Sequence, residues 1–125
     1  ALTLLFPDAA GGLGLRPHGD PGWVEVEAPD DTMVVNIGDL LELWSGGYFV
    51  STPHKVVNAS GKERYSFPFF IVPRHDVVVA PLIDCQPGFE RAPVPVGPVS
   101  REVWRTNWPE AVPEETGFDL GTLPD

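Results

Sequence analysis

Cysteine is nearly absent from this chain. Its one thiol, Cys85, has no partner for an internal disulfide. Packing and hydrogen bonds must therefore hold the fold, Cys85 reads as a small buried or half-buried residue, and a reducing compartment, the cytoplasm, is the expected location. Basic residues are scarce as well. Eight lysines and arginines stand against 18 acidic residues, a formal net charge of −10. That balance excludes nucleic acid and anionic membrane surfaces as partners, because both are gripped through basic patches. Much of the negative charge falls in turn-like or tail segments, at Asp30, Asp31, Glu110, Glu114, Glu115, Asp119 and Asp125, where it serves solubility. Long apolar runs are missing too. None approaches the roughly 20 residues that a membrane-spanning helix requires.

What the chain has in quantity is punctuation, with 15 prolines and 13 glycines. They cut it into short apolar runs, the pattern of an all-β barrel or sandwich. Strands are expected at Leu2–Phe6, Leu13–Arg16, Trp23–Glu27, Met33–Ile37, Tyr48–Ser51, His54–Asn58, Tyr65–Val72 and Val77–Ala80. Alternation in Trp23–Glu27 turns one face to solvent. The nearly continuous apolar run Tyr65–Val72 predicts burial on both faces, with Phe67, Phe69 and Phe70 in the core beside Asn36. A short helix is expected at Leu40–Trp44, capped by Asp39 with Glu42 three residues on, and closed by Gly46 and Gly47. Gln86 to Pro98 reads as an extended, proline-rich connection. Ser100 then caps a second helix, whose apolar face pairs Val99 with Val103 and Trp104 with Trp108 and packs against the barrel. Pro109 stops it, and an acidic tail follows from Pro113.

Chemistry concentrates in one stretch. His54 stands in Ser51-Thr52-Pro53-His54-Lys55-Val56-Val57-Asn58, and ten residues later comes Arg64-Tyr65-Ser66-Phe67-Pro68-Phe69-Phe70. A neutral imidazole nitrogen is a ligand for divalent iron. An arginine fork grips a carboxylate in two-pronged fashion, and a nearby hydroxyl completes the grip. Residues two apart on a strand face one side, so Arg64 and Ser66 can act on one ligand. If the two strands formed a hairpin, His54 would lie about 13 Å along from Arg64; strands in facing sheets would bring both inward. Taken alone, each residue also has an ordinary reading. His54 could be a hydrogen-bonded structural histidine, Arg64 an ion-pair partner, and Ser66 a plain strand residue. His75, in Pro73-Arg74-His75-Asp76, reads as a turn residue.

This stretch resembles the C-terminal core of the iron(II)/2-oxoglutarate-dependent dioxygenases of the isopenicillin N synthase-like group. Further segments match in the same order: Leu2 to Asp8, Gly11-Gly12-Leu13, Trp23 to Val26, Val34 to Glu42, and Ser51 to Val57. The resemblance covers Ala1 to Leu82 and is weak beyond. It implies a double-stranded β-helix, or jelly roll, an incomplete one here. Residues 1–82 would be the C-terminal part of the dioxygenase core, and residues 83–125 a connection, helix and tail. It also implies iron(II) with His54 as a ligand, 2-oxoglutarate held through its far carboxylate by Arg64 and Ser66, and oxidation of a small organic substrate with succinate as co-product. Relatives that do not use 2-oxoglutarate share the Arg-x-Ser pattern, so the resemblance specifies the iron more tightly than the co-substrate.

In that family a His-x-Asp pair just before the segment matching Ala1 supplies the other two iron ligands. The sequence opens inside the expected first strand, so it reads as a fragment that is inactive by itself, the parent being the enzyme. His18-Gly19-Asp20 satisfies the bare pattern but sits among Pro17, Pro21 and Gly22, which mark a turn. Two other readings stand beside the oxygenase: a non-catalytic jelly-roll binding domain, and a folding fragment that needs its N-terminal part. In the last reading an exposed sheet edge would favour association or swapping.

Overall fold

The computed structural model describes residues 1–107 and residue 109. Short antiparallel strands dominate it. The strands are β1 (Leu2–Pro7), β2 (Leu13–Leu15), β3 (Val24–Glu25), β4 (Val34–Ile37), β5 (His54–Val56), β6 (Ser66–Ile71), β7 (Val78–Val79) and β8 (Val94–Pro95). Two helices accompany them, α1 (Asp39–Trp44) and α2 (Val96–Asn107). The strands form a three-stranded sheet β4-β1-β6, a second β3-β2-β5, and a β7-β8 pair. The strands bearing His54 and Ser66 are therefore not a hairpin. β5 pairs with β2, whereas β6 pairs with β1.

Register fixes the faces. Thr3, Leu5 and Pro7 oppose Phe70, Pro68 and Ser66, and Leu5 and Thr3 also oppose Val34 and Asn36. Opposed residues share a face, so these form one surface and Leu4, Phe6, Val35, Phe67 and Phe69 the other. Pro68 sits where the ladder tolerates it. The Asp8 amide donates to the Tyr65 carbonyl, and alternation along an antiparallel pair then turns the Pro68 backbone away from β1, towards the open edge.

Leu13 of β2 is buried within the second sheet, and the main buried cluster is built around the helices and the β7-β8 pair. Leu43 of α1, Val79 of β7 and Val96 of α2 are almost fully buried, and Leu40, Trp44, Val77, Phe89 and Val94 pack around them. Positive φ at Gly47 lets Phe89 lie against the backbone there: a Cβ on Gly47 would fall 2.6 Å from the Phe89 ring.

Several expectations from the sequence fail here. Tyr48–Ser51 forms no strand, and the stretch read as an extended connection contains a short paired strand, β8, and the first turn of α2. β6 is not buried on both faces: Phe67, Phe69 and Phe70 are 70%, 62% and 61% exposed. It is an edge strand, and among the described residues no layer covers its outer face. Both residues of β3 are exposed. Gly38, not Asp39, caps α1 and makes no side-chain cap bond. Glu42 instead pairs with Arg91 at 2.8 Å. α2 begins at Val96, four residues before Ser100, because Pro98 lies in a first turn whose N–H groups need no helical partner. Val99 and Val103 are exposed, not packed against a barrel. Cys85 is exposed. Trp108 and the tail from Pro113 lie outside the described residues.

Candidate co-substrate and metal site

The turn between β1 and β2 builds the site. Asp8 closes it locally, its Oδ1 accepting from the Ala10 amide at 3.0 Å. Gly11 and Gly12 follow with φ of +69° and +79°, a backbone that other residues rarely adopt. A side chain at Gly12 would strike the chain after β5, because its Cβ would fall 2.2 Å from the Val57 carbonyl oxygen. That close approach lets the Val57 amide donate to the Gly12 carbonyl at 2.9 Å.

Arg64 is seated on the same turn. Its Nε–H donates to the Gly11 carbonyl at 2.7 Å, and its Nη1 lies 3.4 Å from Ser66 Oγ. Asp8 also accepts from the Tyr65 amide through Oδ2, clamping the residue between Arg64 and Ser66. The Tyr65 and Ala10 amides, helped by the nearby Arg64 charge, hold the Asp8 carboxyl below its usual range. Arg64 and Ser66 are half-buried. Arg64 reaches an open cleft of about 200 Å³ lined from both sheets, by Pro7, Leu13, Glu25 and Val34 among others. Among the described residues lining it, Arg64 is the only basic one; Asp8, Glu25 and Glu27 are acidic.

His54 is not part of that lining. Cross-strand register places it opposite Leu15, with Val56 opposite Leu13. His54 therefore shares the sheet face of Leu13, which lines the cleft. The ring is exposed, and its Nδ1 lies 3.2 Å from the Thr52 carbonyl. A carbonyl only accepts, so a neutral ring that makes this bond carries its proton on Nδ1 and presents Nε2 as the lone pair, the form that ligates metals. The opposite face of the second sheet carries Trp23 between Arg16 and Lys55, whose charges lie 5.6 and 4.2 Å from its ring centre.

His18 and Asp20 occupy an exposed turn, where the Asp20 amide bonds to the Pro17 carbonyl. His75 lies in another turn, beside the Arg74–Asp76 ion pair. Among the described residues no three His, Cys, Asp or Glu side chains are grouped to hold a metal. His54 alone does not make an iron site. Sequence reasoning gave no role to Asp8, Gly11 or Gly12. An aspartate followed closely by two glycines is a turn signal that could have drawn attention to them.

Comparison with known proteins fixes the class. The 2OG-Fe(II) oxygenase superfamily matches residues 1–73, and the chain belongs to it. That superfamily works with iron(II) and 2-oxoglutarate. Among curated relatives, a probable iron/ascorbate oxidoreductase of Dictyostelium discoideum is 45% identical over 73 residues, 58% of this chain and 20% of that protein. The jasmonate-induced oxygenase 4 of Arabidopsis thaliana is 43% identical over 82 residues, 65% of this chain and 23% of that protein. The chain thus spans about a fifth to a quarter of the length of these relatives. A rice dioxygenase for auxin oxidation superposes with a TM-score of 0.70 at 26% identity, covering 84% of this chain and 37% of the rice protein.

Proposed function

We propose that this chain is the C-terminal part of the jelly-roll core of a non-haem iron(II)/2-oxoglutarate-dependent oxygenase that oxidises a small organic substrate. The observation that carries this reading is the Arg64 guanidinium, held by Gly11 and set against Ser66 Oγ at the cleft between the sheets. With Nε bound to the Gly11 carbonyl and Nη1 set against Ser66, the terminal nitrogens are the prongs a carboxylate would take. Ser66 Oγ stands beside them as a further donor. In the parent, 2-oxoglutarate would supply two electrons to dioxygen, lose its C1 carboxylate as CO2, take up one oxygen atom and leave as succinate, with the second oxygen atom available to oxidise the substrate. His54 contributes one metal-binding nitrogen on the cleft face, and the remaining ligands would come from elsewhere in the parent.

The absence of a three-ligand cluster among the described residues favours one second reading. In it the chain is a non-catalytic anion-binding domain that keeps Arg64 and Ser66 and holds no iron. Paired anaerobic titrations of iron(II) and 2-oxoglutarate into the chain test both. Weak iron binding is expected, with 2-oxoglutarate binding that falls in Arg64→Ala. Tight one-to-one iron binding lost in His18→Ala would instead make the His18 turn a ligand. Unchanged 2-oxoglutarate affinity in Arg64→Ala would make that arginine structural. A longer parent that binds no iron when its own N-terminal segments are present would favour the anion-binding domain.

A further inference from the structure

Asp8 takes no part in carboxylate binding as described above, yet it bonds to the frame around Arg64 on two sides, at Tyr65 and at Ala10. Its Oδ2 accepts from the Tyr65 amide, between Arg64 and Ser66. Its own amide donates to the Tyr65 carbonyl at 3.2 Å. Its Oδ1 holds the Ala10 amide, next to the Gly11 carbonyl that binds Arg64 Nε. The bonds close a ring running Arg64, Tyr65, Asp8, Ala10, Gly11 and back to Arg64. A free arginine side chain samples many rotamers, and each would present a different edge to the cleft. In the ring both ends of the contact are fixed: the Arg64 backbone by Asp8, and the guanidinium by a turn that Asp8 shapes.

We propose that Asp8 is a positioning residue for the Arg64–Ser66 carboxylate subsite, acting by setting the guanidinium edge and not by touching the ligand. The inference rests on the reading of Arg64 given above. It also explains why an acidic side chain is tolerated beside an anion site. Both carboxylate oxygens of Asp8 are engaged by backbone amides, so its charge is held by the turn. An alanine there would remove both acceptors. An asparagine would keep one amide oxygen for the Tyr65 amide.

The test is nuclear magnetic resonance on the isotope-labelled chain without iron, using 2-oxoglutarate as the titrant. Wild type is compared with Asp8→Ala, Asp8→Asn and Arg64→Ala. Two signals are followed, the affinity for 2-oxoglutarate and the exchange protection of the Arg64 Nε–H proton. Asp8→Ala should weaken binding about five-fold or more and expose the Nε–H proton, as expected for losing one or two positioning bonds. Asp8→Asn should recover part of both, while the Leu43 and Val79 methyl signals stay in place. Wild-type affinity and protection in Asp8→Ala would overturn the proposal. So would loss of the Leu43 and Val79 signals in both Asp8 variants, which would make Asp8 a residue of fold stability alone. Equal binding by wild type and Arg64→Ala, or none by either, would refute the underlying reading of Arg64. The Nε–H protection would then report only whether Asp8 orders the Arg64 side chain, and the subsite role would fall with that reading.

Discussion

At the scale of single residues, the turn from Asp8 to Gly12 matters most, because β1, β5 and Arg64 all meet on it. Gly12→Ala should be severely destabilising. It combines a positive φ with a Cβ placed 2.2 Å from a backbone oxygen, and backbone cannot move aside as a flexible side chain would. A cost of about 2–4 kcal/mol is expected by urea denaturation. Gly19→Ala is the control, since its φ is also positive but no atom lies within 4 Å of the added Cβ. Asp8 should also give the protein a signature in acid. Its carboxyl is held below the usual range by the Tyr65 and Ala10 amides. The stabilisation is therefore complete above the unfolded value and is lost as pH falls through the lower, folded one. Thermal melts from pH 6 down to pH 2 should show wild type losing stability below about pH 4. Asp8→Ala should lose less over that window. Asp76, lowered by its hydrogen bond to Arg74, adds a loss of the same sign to both proteins, so the difference isolates Asp8.

At the scale of elements, α1 is held in place from outside itself. The Leu82 amide donates to the Trp44 carbonyl at 3.0 Å, and the Gln86 amide to the Gly46 carbonyl at 2.8 Å. Arg91 reaches back to Glu42, whose side chain is only 10% exposed. A six-residue helix has too few internal bonds to persist alone, so these contacts and the Leu43 packing hold it. Arg91→Ala should strand the Glu42 carboxylate in a nearly closed site. Because Arg91 itself is half-exposed, the expected loss is modest, about 1–3 kcal/mol. Adding Glu42→Gln to that variant should restore part of it, since a neutral amide is easier to bury than an unpaired charge. Urea midpoints of the two single variants and the double variant would measure the coupling.

At the scale of the whole molecule, the apolar surface left uncovered stands out. Phe67 and Phe69 project from the first sheet on the same face as Leu4, Phe6 and Val35. They are 70% and 62% exposed. Among the described residues β6 is also an edge of its sheet, so this face ends there at an open row of backbone groups. Such a surface should bind hydrophobic dyes and drive concentration-dependent association. Phe67→Lys combined with Phe69→Lys should lower dye fluorescence and shift sedimentation towards the monomer, with a melting temperature close to wild type. Unfolding of the double variant would show instead that these rings contribute to the core.

The sequence by itself determined the class of this protein and most of its strands. Ordered matches from Leu2 to Val57 and the Arg64–Ser66 spacing point to the oxygenase superfamily, and runs of apolar residues between prolines and glycines mark the strands. Those signals are local, written within a few residues of where they act. Burial was not legible in the same way. The apolar run at Phe67 to Phe70 reads as core, yet whether it is covered depends on layers that no residue of that run specifies. The capping pattern at Asp39 and Glu42 is not realised: Gly38 takes the cap position, and the Glu42 carboxylate pairs with Arg91, distant in sequence. The same holds at the site. Spacing in the sequence offers Arg64 and Ser66 as a candidate pair, whereas nothing local in it offers the Asp8–Gly11 frame around them. It forms only when β1 pairs with β6 and brings a turn more than 50 residues away against Arg64. Local chemistry selects the groups, and long-range pairing decides which way they point.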